Sequence, residues 1–210
     1  MFKSRFLLSV GFLFVALTSV YSQKQMLYTQ PAAGLEGVFV NSDEVFQIHV
    51  QSVETNAIEL KAEIEGETFE TVLLDTYIEN GLWVIRTKRA PGFQKIDDKL
   101  AAHKVLSVVL NIEIPKNRAF WVDSSLASVE LTGLFKYINL NLSGGDCKLN
   151  AFRGSGIVNT LRGSIEVETE DNQIEAVTRH GRLQVANNAY GSQHLNLKSV
   201  DGDIRVTQSE

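Results

Sequence analysis

From residue 127 to the end, apolar and polar positions alternate with period two in short runs, and the runs recur. Four begin with glycine and continue apolar, any, apolar: Gly145-Asp146-Cys147-Lys148-Leu149, Gly163-Ser164-Ile165-Glu166-Val167, Gly181-Arg182-Leu183-Gln184-Val185 and Gly202-Asp203-Ile204-Arg205-Val206. Their starts lie 18, 18 and 21 residues apart, and 18 residues before Gly145 stands Ala127, which opens Ala127-Ser128-Val129-Glu130-Leu131. A second apolar cluster follows each start: Ile138 with Leu140 and Leu142, Ile157 with Val158, Ile174 with Ala176, and Leu195 with Leu197. Period-two alternation marks strands with one buried face, and a fixed repeat marks a stacked architecture. The pattern predicts five rungs of about 18 residues, each with two short strands.

Stacked in chain order, Val129, Cys147, Ile165, Leu183 and Ile204 form one inward column and Leu131, Leu149, Val167, Val185 and Val206 the next. The outward column then reads Glu130, Lys148, Glu166, Gln184, Arg205, and its neighbour Ser128, Asp146, Ser164, Arg182, Asp203, neither setting like charges side by side. The glycines are expected at corners, where positive φ is tolerated. The three extra residues of the third interval fit an insertion at residues 187–191, with Tyr190 as a candidate contact residue.

The first half alternates without that period. Phe46, Ile48 and Val50, then Ile58, Leu60, Ala62 and Ile64, then Leu82 to Ile85 are separated by turn-rich breaks at Asn41 to Asp43, Gly66 and Asn80-Gly81, which predicts a β-meander. In residues 91–104, Phe93, Ile96 and Leu100 suit either one or two helical turns or an ordered loop. Alternation resumes at Val108, Leu110, Ile112 and Ile114, and Pro115-Lys116-Asn117 turns the chain into Phe120, Trp121 and Val122. The expected fold is all-β, a β-meander continuing into a C-terminal β-solenoid. It divides into residues 1–22, 23–36, 37–104 and 105–210, the last two reading as one continuous domain.

Residues 1–22 have the three parts of a secretory signal: Lys3 and Arg5, an apolar stretch from Phe6 to Leu17, and a small-residue exit at Ser22. The apolar stretch is shorter than the roughly 20 residues a spanning helix needs, so a cleaved signal and no stable membrane span are expected. Cleavage takes the net charge from −5 to −7 by removing those two cations, which disfavours nucleic acid as partner. The single cysteine, Cys147, forbids an internal disulfide and leaves no lipidation site at the new N-terminus. It reads as a small core residue. The localisation expected is periplasm, outer envelope or cell surface.

The β-rich front, the strand ending at Ile112 to Lys116, and the glycine-led rungs closing on Gly202-Asp203-Ile204-Arg205-Val206 resemble the bacterial "putative adhesin" domains, related to the auto-transporter adhesin head GIN domains. Asp97-Asp98-Lys99-Leu100-Ala101-Ala102-His103-Lys104 is similar to a stretch in exported members from Bacteroidetes-type bacteria. The resemblance covers roughly residues 35–207. It implies a β-solenoid facing the envelope or cell surface and transfers no catalytic residue.

The chemistry-bearing residues are sparse. Gly154-Ser155-Gly156 lacks the spacing and following helix of a nucleophile elbow. His49, His103, His180 and His194 lack metal-ligand spacing. The run Glu166, Glu168, Glu170, Asp171 is weighed as a carboxylate site or a weak Ca²⁺ site against a solvated turn. No catalytic, cofactor-binding or metal-binding residue is assigned, and no cofactor. Three function classes follow: an adhesin or surface binding module with an envelope, surface or glycan partner; a periplasmic structural or stress-associated envelope protein; and, weakest, a carbohydrate-active enzyme. An exposed aromatic or polar patch on one face would favour the first.

Overall fold

A computed structural model describes residues 23–66, 69–91, 106–186 and 191–208. Residues 1–22, expected to be a secretory signal, the segment 92–105 with His103, and Tyr190 lie outside them. The strands, in chain order, are β1 (Gln23–Pro31), β2 (Gly37–Asn41), β3 (Gln47–Val53), β4 (Ala57–Gly66), β5 (Val72–Glu79), β6 (Leu82–Arg89), β7 (Leu106–Pro115), β8 (Arg118–Ser124), β9 (Ser128–Leu142), β10 (Cys147–Thr160), β11 (Ile165–Thr169), β12 (Asn172–Thr178), β13 (Leu183–Val185), β14 (Gln193–Ser199) and β15 (Ile204–Gln208). A single 3-10 turn, Phe69–Thr71, precedes β5. The chain is all-β.

All fifteen strands belong to one sheet with two limbs. The first limb runs β1-β4-β7-β3-β9-β10-β11-β15-β13, and the second runs β5-β6-β2-β8-β9-β10-β14-β12. The long strands β9 and β10 serve both, their first halves in one limb and their second halves in the other. Where they cross, Gly133 (φ 104°), Ala151 (φ 43°) and Gly154 (φ 152°) bend the backbone, and the buried rings of Phe135 and Phe152 stack 5.9 Å apart. The inward side chains of both limbs form one hydrophobic core.

Val129 pairs in parallel with Cys147, and Cys147 with Ile165, so the 18-residue spacing puts copies side by side. The next neighbour of Ile165 is Ile204, and Leu183 lies beyond it. The last two levels are therefore exchanged relative to chain order, in the second limb as well, where β14 lies between β10 and β12. After β11 the chain skips a level, builds β12 and β13, and returns to fill the gap with β14 and β15. The physical reason is legible in the corrected outward column: Glu130, Lys148, Glu166, Arg205, Gln184 now alternates in sign across four levels. The companion column becomes Ser128, Asp146, Ser164, Asp203, Arg182, in which Arg182 pairs with Asp203 at 2.6 Å.

The glycine-led corners also differ from expectation. Gly145 has positive φ, but Gly163, Gly181 and Gly202 are glycine because of close approach. A Cβ on Gly163 would lie 1.7 Å from the Gly145 carbonyl oxygen, and one on Gly202 2.0 Å from that of Gly163. One on Gly181 would lie 2.0 Å from that of Gly202, in the same exchanged order. Three residues before these corners stands a serine or threonine that fastens the turn. Ser199 accepts from the Gly202 N–H and donates to the Gly163 carbonyl, Thr178 does the same for Gly181 and Gly202, and Thr160 donates to the Gly163 carbonyl. Ser124 and Ser42 accept the N–H groups of Ala127 and Val45 at earlier corners.

The first half is not a meander. β2 and β3 lie in different limbs, β2 between β6 and β8 and β3 between β7 and β9, all in parallel. Among the described strands only β5–β6 forms a local hairpin, turned by Asn80 (φ 51°) and Gly81 (φ 78°), while β4 runs antiparallel to β1 and β7. Stacking thus extends into the first half, where the larger and irregular sequence separations hide it. In the exchanged order the fifth repeat is interior, and β13 of the fourth is the edge, with Leu183 49% and Val185 38% exposed.

Candidate functional site on the outer face of the second limb

Alternation buries Phe120 and Val122 of β8 and turns Trp121 and Asp123 outward. The same parity on neighbouring strands assembles two outward rows across the second limb. One runs Tyr77, Val84, Phe39, Trp121, Asn139, Ile157, Asn196, in which Val84 is itself buried. The other, two residues further along each strand, runs Arg86, Asn41, Asp123, Asn141, Asn159, Lys198. Adjacent strands are about 4.8 Å apart, so each row sets one side chain per such interval.

Trp121 packs over Gly37, where a Cβ would come within 3.0 Å of the indole Cζ3, so the glycine leaves space for the ring. Phe39 stands opposite Trp121 in register, both half-buried. Arg86 caps the far end of the aromatic row, its guanidinium 5.5 Å from the Tyr77 ring centroid.

The second row is a hydrogen-bonded ladder. Asn141 donates from Nδ2 to Asp123 Oδ1 at 2.8 Å, and Asn159 donates from Nδ2 to Asn141 Oδ1 at 2.9 Å. An amide carries two N–H donors and a carbonyl with two lone pairs, so each rung of the ladder keeps a donor directed away from it. The ladder borders an open groove of about 490 Å³ lined by Asp43, Ser125, Ser143 and Thr160 as well as the ladder residues. There Asp43 accepts the Ser125 N–H at 2.9 Å, and hydrogen bonds from Ser125 hold its carboxyl below the usual carboxylate range.

The residues weighed from sequence lie elsewhere and do not converge. Ser155 donates to Gln193 Oε1 at 2.7 Å and accepts the His194 N–H, tying β10 to β14. His49 lies 3.2 Å from Glu130, and His180 2.6 Å from Asp201. In the acidic run, Glu166 sits in register between Lys148 and Arg205, Glu170 pairs with Arg153, and Asp171 accepts both the hydroxyl and the N–H of Ser192. Those Ser192 bonds, the hydroxyl first, depress the Asp171 carboxyl. Among the described residues no group of three or more His, Cys, Asp or Glu is placed to hold a metal ion, and no helix is long and apolar enough to cross a membrane. Cys147 is buried, and burial pushes its thiol far above the ordinary range.

The outward rows were not singled out from sequence, yet a signal exists. Asp123, Asn141 and Asn159 are themselves 18 residues apart, a polar repeat in phase with the apolar one.

No protein-family model matches the chain, and no curated protein matches it. Among solved structures, a "putative cell adhesion protein" from Clostridium sporogenes shares the fold, with a TM-score of 0.65 at 14% identity, covering 89% of this chain and all of that one. A "putative adhesin" from Bacteroides fragilis aligns with a TM-score of 0.42 at 11% identity over 88% of this chain and 97% of its own. A "putative lipid binding protein" from Parabacteroides distasonis aligns at 0.26 and 11%, over 89% and 97%.

Proposed function

We propose that this chain is an exported, non-catalytic β-solenoid that binds a component of the cell surface or surroundings, as an adhesin does, through the outer face of its second limb. The observation that carries the reading is the contiguous aromatic and amide surface around Phe39, Trp121, Asn141 and Asn159. A pair of adjacent, partly buried aromatics, Phe39 and Trp121, suits binding because large rings give contact area at little entropic cost. The named adhesion neighbour of the same fold supports the reading. So does the sequence of residues 1–22, which has the make-up of a secretory signal. Fractionation of the producing cells, with protease shaving of intact cells, tests it: loss of the chain on shaving is the expected result. A chain protected inside the envelope overturns surface binding.

A second reading, an envelope scaffold, draws on the outer edge formed by β12 and β13. There Val177, Leu183 and Val185 are exposed beside strands that, among the described residues, pair on one side only, and such an edge accepts an added strand. Protection from shaving, with co-fractionation in a larger envelope assembly, would favour this reading over the first.

A further inference from the structure

We infer that the outer face of the second limb binds an uncharged, linear polysaccharide laid across the strands, with Trp121 as its stacking platform and the Asn141–Asn159 ladder as its hydroxyl reader. This deepens the surface-binding reading and rests on it. Three observations select the ligand class.

The first is the indole. Trp121 packs over Gly37 with Phe39 opposite in register, which sets two aromatic side chains next to each other on the outer face. A flat ring suits the C–H face of a pyranose, which is apolar and equally flat.

The second is the ladder. Asn141 and Asn159 are locked to Asp123 and to each other by one N–H apiece, which fixes their planes and leaves donors and acceptors repeating at about 4.8 Å. That interval is close to the length one pyranose adds to a polymer, so successive sugars meet equivalent groups. A ladder of this kind is preorganised, and recognition then costs little side-chain ordering.

The third is charge. Asp123 stands in the middle of the polar row, while its cations, Arg86 and Lys198, stand at opposite ends, Arg86 already over Tyr77. A polyanion would meet a carboxylate at the centre of the site on a chain of net charge −5, whereas hydroxyls can donate to that same carboxylate.

The test is affinity electrophoresis of the full chain through gels containing hydroxyethylcellulose, xylan, soluble starch or polygalacturonate, with Trp121→Ala, Asn141→Ala and a control, Glu166→Gln, on the other limb. At least one neutral polymer is expected to retard the wild type and the control. Polygalacturonate should not, and Trp121→Ala should weaken the retardation at least tenfold while its melting curve stays that of a folded protein. Equal retardation of wild type and Trp121→Ala, stronger binding to polygalacturonate, or no retardation by any neutral polymer overturns the inference. Binding of the wild type to envelope fragments before and after periodate, which cleaves vicinal diols, separates the two readings. Retention that survives periodate rejects a glycan ligand bearing vicinal diols, as the neutral polymers of the gel test do, but leaves surface binding standing; no retention on untreated envelopes rejects both.

Discussion

At the residue scale, what decides each position is its level in the stack, and the exchange of the last two levels changes individual predictions. Ile165 is buried between Cys147 and Ile204, so Ile165→Asp strands a charge in the core and is expected to cost on the order of 4 kcal/mol or more. Leu183 sits on the terminal edge, half-exposed, and Leu183→Asp should cost only about 1–2 kcal/mol, because little area leaves water there. Lys148→Ala, on the outward column, should stay within about 1 kcal/mol. Thermal melts of the three variants check the order, and equal losses for Ile165→Asp and Leu183→Asp would restore the chain-order stack. The corner glycines offer a paired test. Gly163→Ala drives a methyl into the Gly145 carbonyl and should cost about 3 kcal/mol, whereas Gly34→Ala meets open space and only the strain of φ 78°, about 1 kcal/mol.

Titration follows the same level-to-level contacts. Asp203 accepts the Arg182 N–H at 2.7 Å and its guanidinium at 2.6 Å, and these bonds, the backbone one first, hold its carboxyl below the usual range. Asp171 is depressed likewise by Ser192. A carboxyl with a lower pKa in the folded than in the unfolded chain binds protons more weakly when folded. Its stabilisation is therefore complete above the ordinary carboxylate range and is lost as pH falls through the depressed folded value. The melting-temperature gap between wild type and Asp203→Ala should be widest near neutrality and should narrow on acidification; a gap that widens in acid contradicts the assignment.

At the element scale, strands were legible wherever alternation was clean, because one buried face is a local property that sequence records directly. Val129, Leu131, Cys147, Leu149, Ile165 and Val167 could be paired from an 18-residue count alone. The neighbours of β15 could not, since Ile204 and Leu183 are equally apolar and either order buries a column. What distinguishes the orders is outward charge and the corner contact of Gly202 with Gly163, second-order terms beside burial. The β2 and β3 pairings were hidden for a different reason: their partners lie from 45 residues away, for Val38 with Trp83, to 82, for Val38 with Phe120, and no period connects them. The proposed binding face escaped because outward positions were compared only on the first strand of each repeat, although Asp123, Asn141 and Asn159 repeat in phase on the second. The exchange also predicts how β15 behaves as an element. In a stack built in chain order, the last repeat is a cap whose loss trims one end. Here β15 bridges β11 and β13, so ending the chain at Gly202 should also release β13 and should expose far more than the missing residues. Limited proteolysis that cleaves only at the new terminus, leaving residues 179–186 protected, would argue against the bridge.

At the scale of the whole molecule, the two insertions, β2–β3 between later strands and β14–β15 between earlier ones, interlock a sheet that would otherwise be nearest-neighbour. Stacks held only by adjacent repeats unfold piecemeal, since each interface breaks independently. An interleaved one cannot lose its middle levels without opening a gap that strands from both sides had closed, so a single cooperative transition is expected, with slow folding because so many pairings are non-local. The chain carries its own reporters. Trp83 is buried in the first half and Trp121 lies on the second limb, while Cys147 is buried in the middle of the first limb with its thiol pushed up by burial, inert until that region opens. In urea, tryptophan emission, far-ultraviolet circular dichroism and labelling of Cys147 by a thiol reagent should share one midpoint. If Cys147 became reactive at markedly lower urea than the tryptophan transition, the glycine-cornered stack would be opening by itself. The exchanged order would then confer no cooperativity on the two halves.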